Sequence, residues 1–203
     1  ARIRLSLELT GPDLSRWRPR RLGFFMGGSY TQSTDLFALL NHYLQGITIR
    51  AVSGGEDCLL SPSDLHPVGF DMENALLSYP QHSFSGYRLL QEYFILPRKF
   101  TFFELRGWEK WRNRGTGKQF EIIFELSSAP IAPPNITADL FILNAVPVIN
   151  LFKHDADPFL FDHRLEKIRV RPAAHNPDHY QVFRVDKVIG YEQGSVAKKE
   201  YQP

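Results

Sequence analysis

The chain has 203 residues with 24 basic and 22 acidic side chains, so its formal net charge is only +2. This balance argues against a general nucleic-acid binder, which usually concentrates basic residues on one face. The single cysteine, Cys58, excludes an intrachain disulfide and indicates a reducing compartment. No apolar run approaches the ~20 residues of a membrane-spanning helix. The 16 phenylalanines favour an aromatic β-rich core or large contact surfaces.

The N-terminal part of the chain predicts short strands around one helix. Apolar side chains alternate at the start of the chain, which is typical of a half-buried strand. Strands are predicted at residues 1–9, 22–26 and 47–52. Between the last two, helically spaced apolar residues follow the candidate caps Ser33, Thr34 and Asp35, and Gly46 is placed to end that helix in the left-handed conformation.

The strongest basic cluster lies between the first two predicted strands. It carries Arg16, Trp17, Arg18, Arg20 and Arg21. One interpretation is an anchor for an acidic partner or a phosphate. The other is a solvated connection, which we prefer because like charges in a loop are usually exposed.

Residues 85–96 predict the central helix of the chain. Ser85 can cap it, because its hydroxyl can accept an orphan backbone N–H of the first turn. Tyr87, Leu90 and Phe94 belong to a wide apolar stripe, and Pro97 ends the helix. Since a helix this apolar needs partners on most sides, we expect it at the centre of a domain, with these five residues defining the fold.

Residues 107–118 form a polar, glycine-punctuated excursion that carries Trp108 and Trp111. The flanking segments, 100–105 and 120–126, predict two strands that would form a long-looped antiparallel pair. The two tryptophans either pack back on the sheet or contact a partner. We prefer packing, because tryptophan is usually mostly buried.

The clearest internal linker is the proline-rich segment around residues 130–134. The length suits one domain or two small ones, and this segment predicts a first module at residues 1–130 and a β-rich second module at 135–203, packed on the first or continuous with it. The second module has a possible helix at 137–144 and predicted strands at 166–172 and 180–191. The expected class is α+β, dominated by antiparallel strands, with two or three packed helices.

One cluster could carry chemistry, namely His154, Asp155, Asp157, Asp162 and His163. His and Asp ligands can bind zinc or another metal, so a metal-binding or hydrolytic domain is the alternative function. The spacing matches no known metal motif, and Asp and His around a proline are also ordinary turn chemistry. No nucleophile elbow, zinc-protease helix or phosphate-binding loop is present, so no motif in the sequence positively indicates catalysis.

Three segments together carry a resemblance to a known family. They are residues 83–105, residues 144–152 (Asn-Ala-Val-Pro-Val-Ile-Asn-Leu-Phe) followed by Asp162-His163-Arg164, and residues 180–188 (Tyr-Gln-Val-Phe-Arg-Val-Asp-Lys-Val). Their order and spacing resemble the type VI secretion baseplate subunit family TssF, also called ImpG or VasA. The predicted helix at residues 34–46 fits the same pattern, so the resemblance covers nearly the whole chain.

The resemblance implies a structural role without catalytic residues or cofactors. Members of this family form the cytoplasmic baseplate wedge with TssG, TssE, TssK and a second TssF copy, and the baseplate docks on the inner-membrane complex. We therefore expect protein partners, no nucleic acid and no direct membrane insertion. Because the family's chains are much longer, this chain is expected to be an internal portion of such a subunit.

Overall fold

The computed structural model describes residues 1–79, 84–128, 135–162, 164, 166–192, 194 and 197–201. Its contacts divide the chain into two compact units, Ala1–Ile149 and Asn150–Pro203. The predicted linker at 130–134 lies outside the described residues. Residues 141–143 pair with a strand of the first unit, so the structure places residues 135–149 with the first unit and not with the second.

The described residues of the first unit form eight strands and two α-helices. In chain order they are β1 (Arg2–Glu8), β2 (Leu22–Met26), α1 (Tyr30–Tyr43), β3 (Leu44–Ala51), β4 (Cys58–Leu60), β5 (Leu65–Val68), α2 (Ser85–Ile95), β6 (Phe102–Leu105), β7 (Gln119–Leu126) and β8 (Phe141–Leu143). All pairings among these strands are antiparallel, which confirms the predicted α+β class.

The first sheet has the strand order β1-β7-β3-β4. Its central strand β7 places Phe124 opposite Ile3 on one side and opposite Ile47 on the other. All three side chains are buried. Cross-strand pairs of aromatic and β-branched side chains of this kind stabilise a sheet.

The second sheet has the order β5-β6-β2-β8. The predicted pairing of the strands on either side of the 107–118 excursion is therefore wrong, since β6 pairs with β2 and β5 while β7 lies in the first sheet. The excursion carries the chain from one sheet to the other and is not a hairpin loop. Pro67 lies in β5 at the sheet edge, where a missing backbone N–H is tolerated.

Helix α1 begins earlier than the sequence predicts. Ser29 is its N-cap, and a reciprocal capping box joins Ser29 and Gln32, so the caps predicted at Ser33 to Asp35 are wrong. The helix ends at Tyr43, and Gly46 lies inside β3 near a register shift. The predicted glycine stop is therefore wrong, because the chain passes directly from helix to strand.

A single hydrophobic cluster draws on both sheets and on α1. Its buried members include Ile3, Phe24, Leu36, Leu40, Phe103, Trp108, Phe124 and Leu140. The apolar face of α1 is buried through Leu36, Leu39 and Leu40, as expected for a helix whose stripe faces the core. The helix predicted at 137–144 is wrong, because Ala138–Leu140 form one 3₁₀ turn and β8 follows at once.

The second unit differs in its burial. None of its described residues is buried. In its described part, β9 (Val188–Tyr191) pairs with β10 (Lys198–Tyr201). The strand predicted at 180–191 is confirmed only over its last four residues, and the strand predicted at 166–172 is reduced to an isolated bridge between Ala156 and Pro172.

Candidate interaction surface

Helix α2 is oriented opposite to the expectation. Its two buried residues are the charged Arg88 and Glu92, which are 1% and 2% exposed, whereas Tyr87, Leu90 and Phe94 are 60%, 56% and 81% exposed. The expectation that this helix lies at the centre of a domain is therefore wrong. The apolar stripe of α2 lies at the surface together with Gln91, and the two charged residues of the helix point inward.

A buried ion cluster explains this orientation. Arg88 Nη1 donates to Glu92 Oε2 at 2.9 Å, and the ammonium of Lys99, also buried, donates to the same oxygen. The backbone amides of Leu76 and Leu77 donate to Glu92 Oε1 at 2.8 and 3.0 Å. The carboxylate of Glu92 thus receives four donors, which is what a buried charge requires in order to be tolerated.

Arg88 joins the same cluster to the preceding loop. Its Nη2 donates to the carbonyl of Phe70 at 3.1 Å. Arg88 Nε is buried without a hydrogen-bond partner in the described part of the chain. The guanidinium is therefore held mainly by its contacts with Glu92 and the loop carbonyl, and removing Glu92 would leave it poorly compensated.

The pKa of Glu92 reflects this arrangement. Burial alone would raise the pKa, but the hydrogen bonds from the Leu77 amide, the Lys99 ammonium and the Leu76 amide outweigh burial. The pKa of Glu92 therefore lies below its usual value, so the ionised carboxylate is the form that the folded protein favours.

The outward side of α2 exposes mainly apolar side chains together with the polar Gln91, and we name the apolar members the α2 apolar face. It consists of Phe84, Tyr87, Leu90, Tyr93, Phe94 and Ile95. Phe84 packs edge-on against Tyr87 and Tyr93 against Phe94, with ring centroids 5.7 and 5.8 Å apart. Arg88 and Glu92 are the only charged side chains between residues 84 and 95, so none of the exposed positions in this range carries a charge.

The ends of α2 follow the sequence only in part. Pro97 begins a 3₁₀ turn and the helix ends at Ile95, close to the predicted stop. Ser85 is already the first helical residue. The N-cap is Phe84, which makes no side-chain cap, so the predicted cap at Ser85 is wrong.

The two tryptophans of the excursion are buried inside the first unit. Trp108 and Trp111 are at most 2% exposed, so their rings are not available to a partner. Trp17, half-buried, packs edge-on against Trp108 with centroids 5.1 Å apart. The buried Arg114 donates to the carbonyls of all three tryptophans, which ties the excursion to the basic segment.

The arginines of the basic cluster are exposed. Arg18 donates to the carbonyls of Leu14 and Trp17, and Arg21 pairs with Glu104 at 2.9 Å. The arginine of this pair is largely exposed, and ion pairs at the surface contribute little stability. These contacts fit the solvated connection, and a partner contact through Arg16, Arg18, Arg20 and Arg21 stays a prediction.

The candidate metal cluster is not assembled in the described part of the chain. No group of three or more His, Cys, Asp or Glu side chains is placed there to hold a metal, and His163 lies outside that part. His154 instead stacks on Tyr180 with centroids 5.6 Å apart, and its Nε2 is 3.2 Å from the carbonyl of Ala173. Asp155 and Asp157 form backbone hydrogen bonds with the segment 171–173.

Cys58 is buried, and burial is the main cause that raises the pKa of its thiol. A thiol of this kind is a poor nucleophile.

Neither of the two α-helices is both long enough and apolar enough to cross a bilayer, a statement limited to the residues that the structure describes.

The sequence held one signal for the orientation of α2. Arg88 and Glu92 are four residues apart, the spacing of an ion pair on one helix face. Lys99 follows shortly after the helix-ending Pro97. Charged residues are almost never fully buried unless they are paired. Arg88 and Glu92 can be buried because Glu92 is also paired with Lys99 and with backbone amides. Hydrophobic periodicity does not reveal these contacts.

Comparisons with known proteins agree on one family. The family model of type VI secretion system TssF matches residues 1–203. The type VI secretion system component TssF1 of Pseudomonas aeruginosa is 29% identical over 183 residues, which are 90% of this chain and 29% of that protein. A chain in the cryo-electron microscopy structure of the TssK-TssF-TssG baseplate subcomplex is 29% identical, with a TM-score of 0.65 over 94% of this chain and 36% of its own length. The chain thus spans about a third of the length of these relatives, and it belongs to the TssF family of the type VI secretion system.

Proposed function

We propose that this protein is a structural component of the type VI secretion baseplate. The observation that carries the proposal is the likeness of 94% of the chain to a chain in the TssK-TssF-TssG subcomplex, at a TM-score of 0.65. Its role is to present surfaces to other subunits and not to catalyse a reaction. The large uncharged surface on α2 supports this role, because exposed apolar patches commonly mark protein contacts.

The proposed partners are a TssG-like and a TssK-like subunit, as named for the solved relative. A TssE-like subunit and a second copy of the protein complete the proposed wedge, in line with the family resemblance. The proposal places this wedge in the cytoplasm, at a baseplate that docks on the inner-membrane complex and supports the contractile sheath and tube. The chain contributes no cofactor to this assembly.

Co-purification tests the proposal. The full-length protein is tagged and expressed with the TssG-like and TssK-like subunits of the same secretion system. We expect both subunits to be retained at fixed ratios through affinity and size-exclusion steps. If neither subunit is retained by the folded protein, the proposal fails.

A further inference from the structure

We propose that β1 is a self-complementary sheet edge, through which two copies of the protein pair in antiparallel orientation, β1 against β1. This inference rests on the proposed function and deepens it, because that function includes a second copy without naming the surface that meets it. The direction of the backbone hydrogen bonds, the lack of edge protection and the order of the charges along β1 support the inference.

One side of β1 carries free backbone groups. The strand lies at the edge of the first sheet and pairs only with β7 in the described part of the chain. Ala1 exchanges both backbone hydrogen bonds with Leu126, and the amide of Leu9 donates to the carbonyl of Lys118 at 3.0 Å. Because the bonding direction alternates along an antiparallel strand, the odd-numbered residues of β1 bond to β7. The even-numbered residues therefore point their amides and carbonyls away from the sheet, namely Arg2, Arg4, Ser6 and Glu8.

The other three edge strands in the two sheets of the first unit are protected against pairing. β4 and β8 have three residues each, and β5 carries Pro67. Short edges and prolines are common means by which proteins prevent edge-to-edge pairing. β1 has seven residues, no proline and an unbroken register with β7. Its free side can therefore accept another strand along its whole length.

The charges on β1 favour the same strand of a second copy. When two copies pair antiparallel with Leu5 at the centre, Arg2 lies opposite Glu8 of the second copy. Arg4 then lies opposite Ser6, so all four outward residues form hydrogen-bonded pairs. Opposite charges that face each other across two strands are favourable, and like charges are not. In-register parallel pairing would place Arg2 on Arg2, and an antiparallel shift by two residues would place Arg4 on Arg4 or move Arg2 beyond the partner's β1.

Symmetry distinguishes a second copy from any other strand. In a two-fold pair the contact between Arg2 and Glu8 forms twice, because each copy presents both residues. A strand from another subunit, or from another part of the same polypeptide, would need its own acidic and basic residues at these two positions. β1 already has both at the required separation.

The apolar side of β1 also gains from this pairing. Leu5 and Leu7 are only partly buried and pack against the hydrophobic cluster. In the proposed register Leu5 lies opposite Leu5, and Leu7 lies opposite Ile3 of the second copy, so the apolar faces of the two sheets become continuous. Burial of these side chains adds to the hydrogen bonds in stabilising the pair. On the other side, Arg2 and Arg4 are 72% and 61% exposed and thus accessible to a second copy.

Charge reversal in the full-length protein tests the register. Arg2→Glu and Glu8→Arg are prepared singly and together, and sedimentation equilibrium measures the dissociation constant of the dimer. Each single variant places like charges opposite each other twice, so we expect its dimer to be about tenfold weaker than that of the wild type. The double variant restores opposite charges and should return to within about threefold of the wild type.

Ser6→Pro tests the hydrogen bonds independently of charge. The amide of Ser6 points away from β7, so a proline there removes a donor from the free edge and none from the pairing within the sheet. Two hydrogen bonds are lost from the two-fold pair, and we expect the dimer to be about 30-fold weaker. Far-UV circular dichroism checks that this variant folds, and the charge-reversal set gives the reading if it does not.

The remaining outcomes separate this inference from the proposed function. If the wild-type protein is monomeric because a partner subunit or another part of the polypeptide covers β1, the inference is overturned. It is also overturned if the single reversals leave the dimer unchanged, or if the double variant stays as weak as the single ones. Retention of the TssG-like and TssK-like subunits by the wild type is measured separately, and its loss contradicts the proposed function whatever the dimer shows.

Discussion

The two α-helices described in the first unit bury opposite kinds of residue. Helix α1 buries Leu36, Leu39 and Leu40, of which Leu36 and Leu40 belong to the hydrophobic cluster. Helix α2 carries a wider apolar stripe, yet it buries Arg88 and Glu92 and exposes that stripe. An apolar stripe therefore predicts a helix, whereas the contacts of its polar residues decide which side faces inward.

The difference follows from what each helix meets. Helix α1 lies against apolar side chains of the sheets, so burial of leucine stabilises it directly. Helix α2 lies against Lys99 and the backbone amides of Leu76 and Leu77. These groups donate hydrogen bonds to a carboxylate, whereas a leucine side chain could accept none. An ion cluster of this kind adds little net stability, but it specifies one orientation, and breaking it is costly.

The largest expected effect comes from breaking the cluster under α2. Glu92→Leu leaves Arg88 and Lys99 buried without a counter-charge, so we expect the free energy of unfolding to fall by about 3–5 kcal/mol. Urea unfolding measures this change. The exposed Glu109→Leu is the control and should stay within about 0.5 kcal/mol of the wild type. A Glu92→Leu protein as stable as this control would show that α2 is not held by its polar side.

A smaller effect is expected from acid. The pKa of Glu92 lies below its usual value of 4.5, so its contribution to stability is present above that pH and is lost as the pH falls through the folded-state value. We expect wild-type stability to decrease more steeply below about pH 4.5 than that of Glu92→Gln, whose side chain does not titrate there. Parallel acid profiles from urea unfolding at several pH values would contradict the ionised cluster.

The helix starts provide a still smaller comparison. Ser29→Ala removes the capping box of α1 and should cost about 1 kcal/mol. Ser85→Ala should cost at most a few tenths, because Ser85 lies inside the helix and caps no amide. Thermal or urea unfolding of the two variants decides the point. Equal losses would mean that Ser85 is the cap after all.

The sequence predicted much of this fold because local patterns are strong where one face of an element is buried. The alternation over residues 1–9 and the apolar run at 22–26 match β1 and β2 closely. The predicted pairing of β6 with β7 is wrong. The 107–118 excursion is held by buried contacts of Arg114, which no sequence pattern encodes. The strands observed in the second unit are shorter than the predicted ones, because an alternating sequence forms a strand only where a neighbouring strand pairs with it.

The candidate surface was predictable in composition but not in orientation. The apolar stripe that contains Tyr87, Leu90 and Phe94 follows from the sequence pattern alone. Their exposure depends on Glu92 meeting Lys99 and two backbone amides, contacts that only the folded chain brings together. Trp108 and Trp111 are buried in the core of the first unit, which is the packing interpretation that the sequence favours.

The most direct test of the inverted helix is a comparison of Leu90→Asp with Leu40→Asp by urea unfolding. Leu40 is buried in α1, so a carboxylate there should cost several kcal/mol, on the order of the stability of the whole unit. Leu90 is 56% exposed, so Leu90→Asp should fold and remain within about 0.5 kcal/mol of the wild type. An unfolded Leu90→Asp protein would contradict this account, because it would place the apolar stripe of α2 in the core.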